Sequence, residues 1–217
     1  MKLFLDTANL EEIRTAARWG ILGGVTTNPT LVAAEGADFM QRIRDICAVV
    51  DGPVSAEVTE TDIEAAVRQG RVLADLHPQV VVKVAATPDG LVVCSRLAAL
   101  GIRVNMTLIF SLNQALVAAR AGAAYVSPFA GRLDDIGHDG IAVVRDVVEC
   151  FARYDLETEV IAASIRHPQH VAQAARAGAH IATMPFPVMR QLVAHPLTDI
   201  GLERFLRDWR AQFPDSK

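Results

Sequence analysis

Eight short β-rich runs alternate along the chain with stretches of helical character. They begin at Lys2, Gly24, Pro53, Val80, Arg103, Ala123, Glu159 and His180. Several of these runs are continuously apolar, which is typical of parallel strands that are covered on both faces. The pattern therefore predicts an α/β fold in which parallel strands are joined by helices.

The helices between these runs end in a common way. Short alanine-containing segments lead to Gly20, Gly101, Gly122 and Gly178, each shortly before a predicted strand. Glycine at this position predicts a left-handed cap that ends the helix. Eight right-handed β-α units close into a (β/α)8 TIM barrel, which we expect as a single domain over residues 1–217. An open doubly wound sheet is the alternative, but no glycine-rich dinucleotide fingerprint follows the first strand.

Capping signals mark where several helices start. Residue pairs with capping-box spacing are Asn9 with Glu12, Thr61 with Glu64 and Ser111 with Gln114. Thr87 followed by Pro88 predicts an N-cap and a first helical residue. These signals place helices directly after the strands, as the barrel requires.

One more helix is predicted after the eighth unit, over about residues 199–213. Its apolar residues recur at helical spacing and are Leu202, Phe205, Leu206, Trp209 and Phe213. Such a stripe either packs on its own barrel or contacts a neighbouring subunit. The sequence favours neither alternative.

Composition restricts the partners and the compartment. The chain of 217 residues is 51% hydrophobic and carries a net charge of −4 with no basic block, so nucleic acid is not an expected partner. The three cysteines are scattered, which favours a reducing compartment. The N-terminus has an acidic residue and no long apolar stretch, and no segment reaches membrane-spanning length. We therefore expect a soluble cytoplasmic protein without a membrane partner.

Lys83 lies within the apolar run VVVKVAAT. Burial disfavours the ammonium ion and favours the neutral amine, which is the nucleophilic form. A neutral amine that faces a sugar carbonyl forms a Schiff base. The alternative is a lysine at the end of a strand whose ammonium reaches water.

Polar residues gather where the predicted strands end, which is where the active sites of such barrels lie. Asp6, Glu57 and Lys83 belong to the first, third and fourth strands, and a carboxylate between Ala56 and Val58 needs a partner if it is buried. The other polar residues at these ends are Thr26, Thr27, Asn28, Asn105, Thr107, Ser127, Arg132, Ser164 and Arg166. Individually, Asp6 and Asn28 also fit caps or turns, and Thr107 also fits a strand residue that only packs. Together they match carbonyl chemistry on a phosphorylated sugar.

Arg132 and Arg166 follow neighbouring strands, so their guanidinium groups are expected to bind one phosphate together. The alternative is that each arginine pairs with a local acid, such as Asp134 or Asp135. His167 and His170 are three residues apart at a helix start. Two histidines without a third ligand are more often surface residues, and we assign no metal site.

The same residues lie in motifs that closely resemble the small bacterial transaldolase family. The motifs occur in order from Met1 to about Trp209 and are FLDTANLEEI, GVTTNPTL, VSAEV, VVVKVAAT, TLIFS, YVSPFAGRLDD, IAASIRH and TMPF. The resemblance implies a class I aldolase with a (β/α)8 barrel, which agrees with the strand pattern.

The resemblance also implies roles for individual residues. Lys83 corresponds to the Schiff-base lysine, and Asp6 to the acid/base that takes the proton from the C4 hydroxyl. Glu57 and Thr107 correspond to the pair that holds the water used in forming and hydrolysing the imine. The residues expected to hold the dihydroxyacetone unit are Asn28, Asn105 and Ser127. Those expected to bind the phosphate are Arg132, Ser164 and Arg166.

The implied reaction moves a dihydroxyacetone unit from a ketose phosphate, sedoheptulose 7-phosphate in the family, to glyceraldehyde 3-phosphate. It requires no metal or organic cofactor. The related fructose-6-phosphate aldolases, which release free dihydroxyacetone, carry Gln in place of Glu57 and Tyr in place of Phe129, so both positions favour the transferase. A sugar-phosphate-binding barrel without catalysis is a third alternative. The resemblance further implies a homo-oligomer, with a decamer of two pentamers as one form.

Overall fold

A computed structural model describes residues 1–213, and the last four residues of the predicted domain lie outside the described residues. It contains a closed barrel of eight parallel strands in the order β1 to β8, with β8 paired to β1. The strands are β1 Lys2–Asp6, β2 Leu22–Thr26, β3 Val54–Glu57, β4 Val80–Ala85, β5 Val104–Ile109, β6 Tyr125–Pro128, β7 Glu159–Ala162 and β8 Ile181–Met184. Each lies within or beside its predicted run. The (β/α)8 prediction is thus confirmed, and the open sheet is wrong.

Helices follow every strand. They are α1 Leu10–Arg18, α2 Pro29–Ala34, α3 Phe39–Cys47, α4 Ile63–Ala74, α5 Pro88–Ala99, α6 Leu112–Arg120, α7 Ala130–Asp134, α8 Gly140–Arg153, α9 Pro168–Arg176, α10 Phe186–Gln191 and α11 Pro196–Gln212. The short helices α2 and α7 come directly after β2 and β6, at the end of the barrel where the polar residues gather. Among residues 1–213, no helix is both long and apolar enough to cross a membrane.

Most of the predicted helix ends are confirmed. Asn9, Thr87 and Ser111 are N-caps whose side chains accept backbone N–H groups of the first helical turn. The four predicted glycine caps have φ angles of +72° to +92°, the region that glycine enters without strain. Thr61 was a wrong prediction: α4 is capped by Asp62, whose Oδ1 accepts the Ala65 N–H at 2.9 Å. The carboxylate one residue later is the better placed acceptor.

The interior of the barrel changes from apolar to polar along the strands. A buried cluster of Phe4, Val81, Tyr125, Ile161 and Ile181 fills one level. Side chains two residues apart on a strand point the same way. The next level towards the carboxyl ends therefore brings inward the residues Asp6, Lys83, Ser127, Ala163 and Thr183. The apolar cluster forms the floor, and the polar level lies directly above it.

Helix α11 does not pack into its own barrel. None of its residues is buried, and Phe205 is 72% exposed. Self-packing of the apolar stripe, one of the two alternatives, is therefore wrong for the single chain. The helix begins three residues earlier than residue 199, because Pro196 occupies its first turn and the His195 ring accepts the Leu197 N–H at 3.1 Å.

Candidate active site

A cavity of about 460 Å³ opens at the carboxyl ends of the strands. Of the predicted site residues, those that line it are Asp6, Asn28, Glu57, Lys83, Thr107, Ser127, Phe129, Arg132, Ser164 and Arg166. Asn105 is the exception, since it is fully buried and does not line the cavity. The barrel thus brings residues from seven strands and their following loops into one site.

Lys83 points into this cavity from the middle of β4 and is 5% exposed. Its Nζ donates to the Thr27 carbonyl at 3.0 Å and pairs with Glu57 Oε2 at 2.9 Å. This pairing follows from the strand register, because Glu57 and Lys83 are opposite each other on the neighbouring strands β3 and β4. The alternative that the ammonium reaches water is wrong. A buried amine beside a carboxylate has a proton acceptor within direct reach.

Asp6 lies beside this pair at the end of β1. Its pKa is raised above the ordinary value, mainly because burial disfavours the carboxylate. The nearby Lys83 charge, a hydrogen bond from Thr26 and the Arg132 charge oppose this rise. A carboxyl group with a raised pKa is suited both to accept and to return a proton near neutral pH.

Two hydroxyl groups act on Asp6, one directly and one through the other. Thr26 Oγ1 donates to Asp6 Oδ1 at 2.7 Å, and Thr183 Oγ1 lies 2.6 Å from Thr26 Oγ1. Since the Thr26 proton is directed to the carboxylate, the proton in the second contact comes from Thr183. Thr183 was missing from the predicted site. Its position two residues after Ile181, on the inward face of β8, was the available signal.

Asn105 forms a second buried polar layer behind the cavity wall. Its Oδ1 accepts from Ser127 Oγ at 2.7 Å, and its Nδ2 donates to Ser55 Oγ at 3.2 Å. Asn105 therefore orients Ser127, which itself lines the cavity. Both ends of the amide already bond to protein, and the predicted contact between Asn105 and a substrate hydroxyl stays a prediction.

Thr107 and Asn28 keep polar atoms for a ligand. Thr107 Oγ1 is buried in the cavity wall and has no hydrogen-bond partner among the described residues. A buried hydroxyl without a protein partner is expected to bind water or substrate. Asn28 combines both of its predicted roles: its Oδ1 caps α2 by accepting the Leu31 N–H at 2.9 Å, while Nδ2 remains available to donate into the cavity.

The two arginines line the same cavity, but their side chains have different surroundings. Arg132 lies over the Phe129 ring, 4.8 Å from its centroid, and has no ion pair within residues 1–213. Arg166 Nη2 pairs with Asp135 Oδ2 at 2.6 Å, with both side chains about half exposed. The alternative of pairing with an acid is therefore wrong for Arg132 and correct for Arg166.

A close contact of backbones joins α7, which carries Arg132, to the loop after β7, which carries Arg166. A Cβ atom added to Gly131 would lie 2.0 Å from the Ser164 carbonyl oxygen and 2.8 Å from Arg166 Cγ. Ser164 itself has a φ angle of +57°, a left-handed conformation that is uncommon for serine. Gly131 is thus part of the site, although nothing in its local sequence indicated so.

The prediction of surface residues is confirmed for one of the two histidines, because His167 is exposed. His167 caps α9, and its ring accepts the His170 N–H at 3.3 Å. His170 is 3% exposed and lies 2.7 Å from Asp134 Oδ2 through its Nε2. The surface prediction is wrong for His170, because the barrel places α7 over its side chain. Residues 1–213 contain no cluster of three metal-ligating side chains.

Comparison with known proteins gives one consistent result. A sequence profile described as Transaldolase/Fructose-6-phosphate aldolase matches residues 3–214. A relative from Heliobacterium modesticaldum named "Probable transaldolase" is 59% identical over 211 residues, 97% of this chain and 98% of the relative. One of the same name from Thermus thermophilus is 60% identical over 223 residues, 99% of this chain and all of the relative.

The fold also occurs in an otherwise dissimilar solved structure. A thiamine phosphate pyrophosphorylase from Pyrococcus furiosus superposes with a TM-score of 0.56 at 17% identity, covering 85% of each chain. At this identity the likeness extends to the barrel alone.

Proposed function

Because the chain belongs to the Transaldolase/Fructose-6-phosphate aldolase family, we propose that this enzyme transfers a dihydroxyacetone unit from a ketose phosphate to glyceraldehyde 3-phosphate. Sedoheptulose 7-phosphate is the proposed donor, and the non-oxidative pentose phosphate pathway is the proposed context. The observation that carries the proposal is the buried Lys83 amine, which lies 2.9 Å from a carboxylate and points into a cavity that two arginines also line.

The proposed reaction begins at Lys83. Its ammonium passes a proton to Glu57, and the neutral amine attacks the C2 carbonyl of the ketose. The nitrogen then passes one proton to the carbinolamine oxygen and Glu57 supplies a second, so that the oxygen leaves as water and the product is a protonated imine. Thr107 contributes its unpartnered hydroxyl to hold that water. Hydrolysis at the end of the cycle reverses these steps.

The carbon–carbon bond breaks while the imine is in place. Asp6 removes the proton from the C4 hydroxyl, the C3–C4 electrons move to the iminium nitrogen, and a phosphorylated aldose leaves. The remaining enamine attacks the acceptor aldehyde, whose oxygen takes the proton back from Asp6. The iminium serves as the electron sink, so the scheme requires no metal or organic cofactor.

The substrate is proposed to lie along the cavity between these two groups of residues. Asn28 donates to a hydroxyl of the dihydroxyacetone unit, as does Ser127, which Asn105 orients from behind. Arg132 and Arg166 bind the phosphate together with Ser164, which also lines the cavity. A phosphate at this side places the C2 carbonyl towards Lys83.

Reductive trapping tests the proposed intermediate. Incubation with fructose 6-phosphate and borohydride should add a three-carbon unit to Lys83, located by peptide mass spectrometry. Lys2 is half-exposed and serves as an internal control that should stay unmodified. Absence of an adduct while the sugar phosphate still binds would instead support a barrel that binds without catalysis.

The family name also includes fructose-6-phosphate aldolase, which we treat as the second candidate. Phe129 packs edge-on against Phe110 at 5.7 Å and beneath Arg132, and it offers no hydroxyl to order a water near the enamine. We expect donor turnover to be slow without an acceptor aldehyde. If dihydroxyacetone were released without acceptor as fast as the donor turns over with acceptor, the aldolase would become the first candidate.

The uncovered stripe of α11 supports a further part of the proposal, a homo-oligomer in which this helix contacts a neighbouring subunit. A ring of five, stacked into a decamer, is the proposed form. Light scattering coupled to size exclusion tests it: Phe205→Glu should shift the mass towards the monomer, and an unchanged mass would contradict it. All three cysteines are free, and we propose the cytoplasm as the compartment.

A further inference from the structure

His170 connects α7, which carries Arg132, to the loop after β7, which carries Arg166. It belongs to α9, it is 3% exposed, and its Nε2 lies 2.7 Å from Asp134 Oδ2 on α7. Its other ring nitrogen, Nδ1, accepts the backbone N–H of Arg166 at 3.3 Å. The ring therefore bridges a residue that follows β6 and a residue that follows β7.

The partners determine the protonation of the ring. The backbone N–H of Arg166 only donates, so Nδ1 must be the acceptor. The Asp134 carboxylate accepts, so Nε2 carries the proton. Asp134 Oδ1 in turn accepts the Gly140 N–H at 2.8 Å, which holds the carboxylate at the start of α8. The neutral ring with its proton on Nε2 satisfies both contacts.

Arg166 is consequently held at both ends by two consecutive residues, Asp134 at the end of α7 and Asp135 just after it. Its backbone is held through His170 by Asp134, and its guanidinium is held directly by Asp135 at 2.6 Å. The backbone contact is partly buried, whereas the guanidinium pair is about half exposed and open to exchange with a ligand. Only the backbone contact can persist unchanged when an anion approaches the guanidinium.

We propose that His170, oriented by Asp134, is a positioning residue that sets the Arg166 backbone and thereby aims its guanidinium at the substrate phosphate. This proposal rests on the proposed phosphate site. It assigns no contact between His170 and substrate. The predicted consequence is selective: loss of the Nδ1 contact weakens phosphate binding and leaves the chemistry at Lys83 unchanged.

Two substitutions at the same position separate the two ring contacts. In His170→Asn, the side-chain oxygen can occupy the place of Nδ1 and still accept the Arg166 N–H. In His170→Gln, the amide can occupy the place of Nε2 and still donate to Asp134, but the Arg166 N–H loses its acceptor. Asp134→Asn tests the same contact from a distance, because a donating amide opposite Nε2 shifts the ring proton to Nδ1.

The measurements are the inhibition constant of inorganic phosphate and the kinetic constants with fructose 6-phosphate and with fructose. We expect His170→Gln and Asp134→Asn to weaken phosphate binding about five- to tenfold and to raise KM for the phosphorylated donor, with kcat little changed. His170→Asn should stay within about threefold of the wild type. Kinetics with fructose should not separate these variants.

Arg166→Ala calibrates the experiment. If it leaves phosphate inhibition unchanged, the proposed phosphate site fails. If it weakens inhibition while His170→Gln and Asp134→Asn do not, only the positioning role fails. Equal losses for His170→Asn and His170→Gln, or equal losses with fructose and fructose 6-phosphate, would show a purely structural histidine. Should His170→Gln not fold, Asp134→Asn alone decides between these outcomes.

Discussion

The two sides of the cavity are held in different ways. The amine side consists of Asp6, Glu57 and Lys83 on neighbouring or nearby strands, and its central ion pair follows directly from the β3–β4 register. The guanidinium side consists of Arg132 on α7 and Arg166 on the loop after β7, and it is held by contacts between these two segments. The groups proposed to react thus lie on the strands of the barrel, and the groups proposed to bind the phosphate lie in the segments that follow β6 and β7.

This difference predicts different consequences of mutation. Changes on the amine side should act on the chemical step, because the strands keep the remaining geometry. Changes on the guanidinium side should act on substrate binding and, where loops are packed closely, on stability. Each of the following experiments tests that division, in order of expected effect.

Lys83→Met should have the largest effect. Without an amine no imine forms, and we expect kcat to fall by at least about 10⁴-fold. Glu57 is left without its partner in a mostly buried position, which should cost about 1–3 kcal/mol of stability. Adding Glu57→Gln should recover stability in urea unfolding but no activity. Substantial turnover by either variant would contradict the Schiff-base mechanism.

Arg132→Ala should act on phosphorylated substrates alone. Loss of charge-assisted hydrogen bonds to phosphate is expected to lower kcat/KM for fructose 6-phosphate about 10²-fold. The same constant for fructose should change less than about threefold. Steady-state kinetics with both donors measures the ratio, and similar losses for both would indicate that the guanidinium has a structural role.

Gly131→Ala should disturb the contact between the two loops. The added methyl group would meet the Ser164 carbonyl oxygen, so we expect about 2–3 kcal/mol of destabilisation and weaker phosphate binding. Gly23→Ala is a matched control, because a Cβ atom there has ordinary contacts at 3.4 Å. Urea unfolding should separate the two variants, and equal stability would mean that the loops can move apart freely.

Thr183→Val should have the smallest effect and should change the pH profile. Its hydroxyl strengthens the hydrogen bond from Thr26 to Asp6, and a hydrogen bond to a carboxylate favours the ionised form. Its loss should raise the pKa of Asp6 further, so the acid limb of kcat should move to higher pH, with kcat near neutrality about two- to fivefold lower. Thr183→Ser should restore the wild-type profile. An unshifted acid limb in Thr183→Val would contradict the predicted effect of Thr183 on the pKa of Asp6.

Much of the amine side could be predicted from the sequence. The apolar runs located all eight strands, and the period of two along β1 and β4 places Asp6 and Lys83 above an apolar floor. Prediction was less complete where the hydrogen-bond partners of a side chain come from other strands. The expected contact of Asn105 with substrate stays a prediction. Its bond to Ser127 was not foreseen, because the layer in which a buried amide lies depends on how the strands are staggered around the barrel.

The remaining features were decided by tertiary structure. Arg166 pairs with Asp135 across 31 residues, and His170 with Asp134 across 36, so neither pair has a local sequence signal. Gly131 is required only because the loop after β7 passes over it, and α11 is exposed only because the barrel closes without it. Local periodicity determines which residues form a strand and which face they occupy. Contacts between loops exist only after eight strands have closed into a ring.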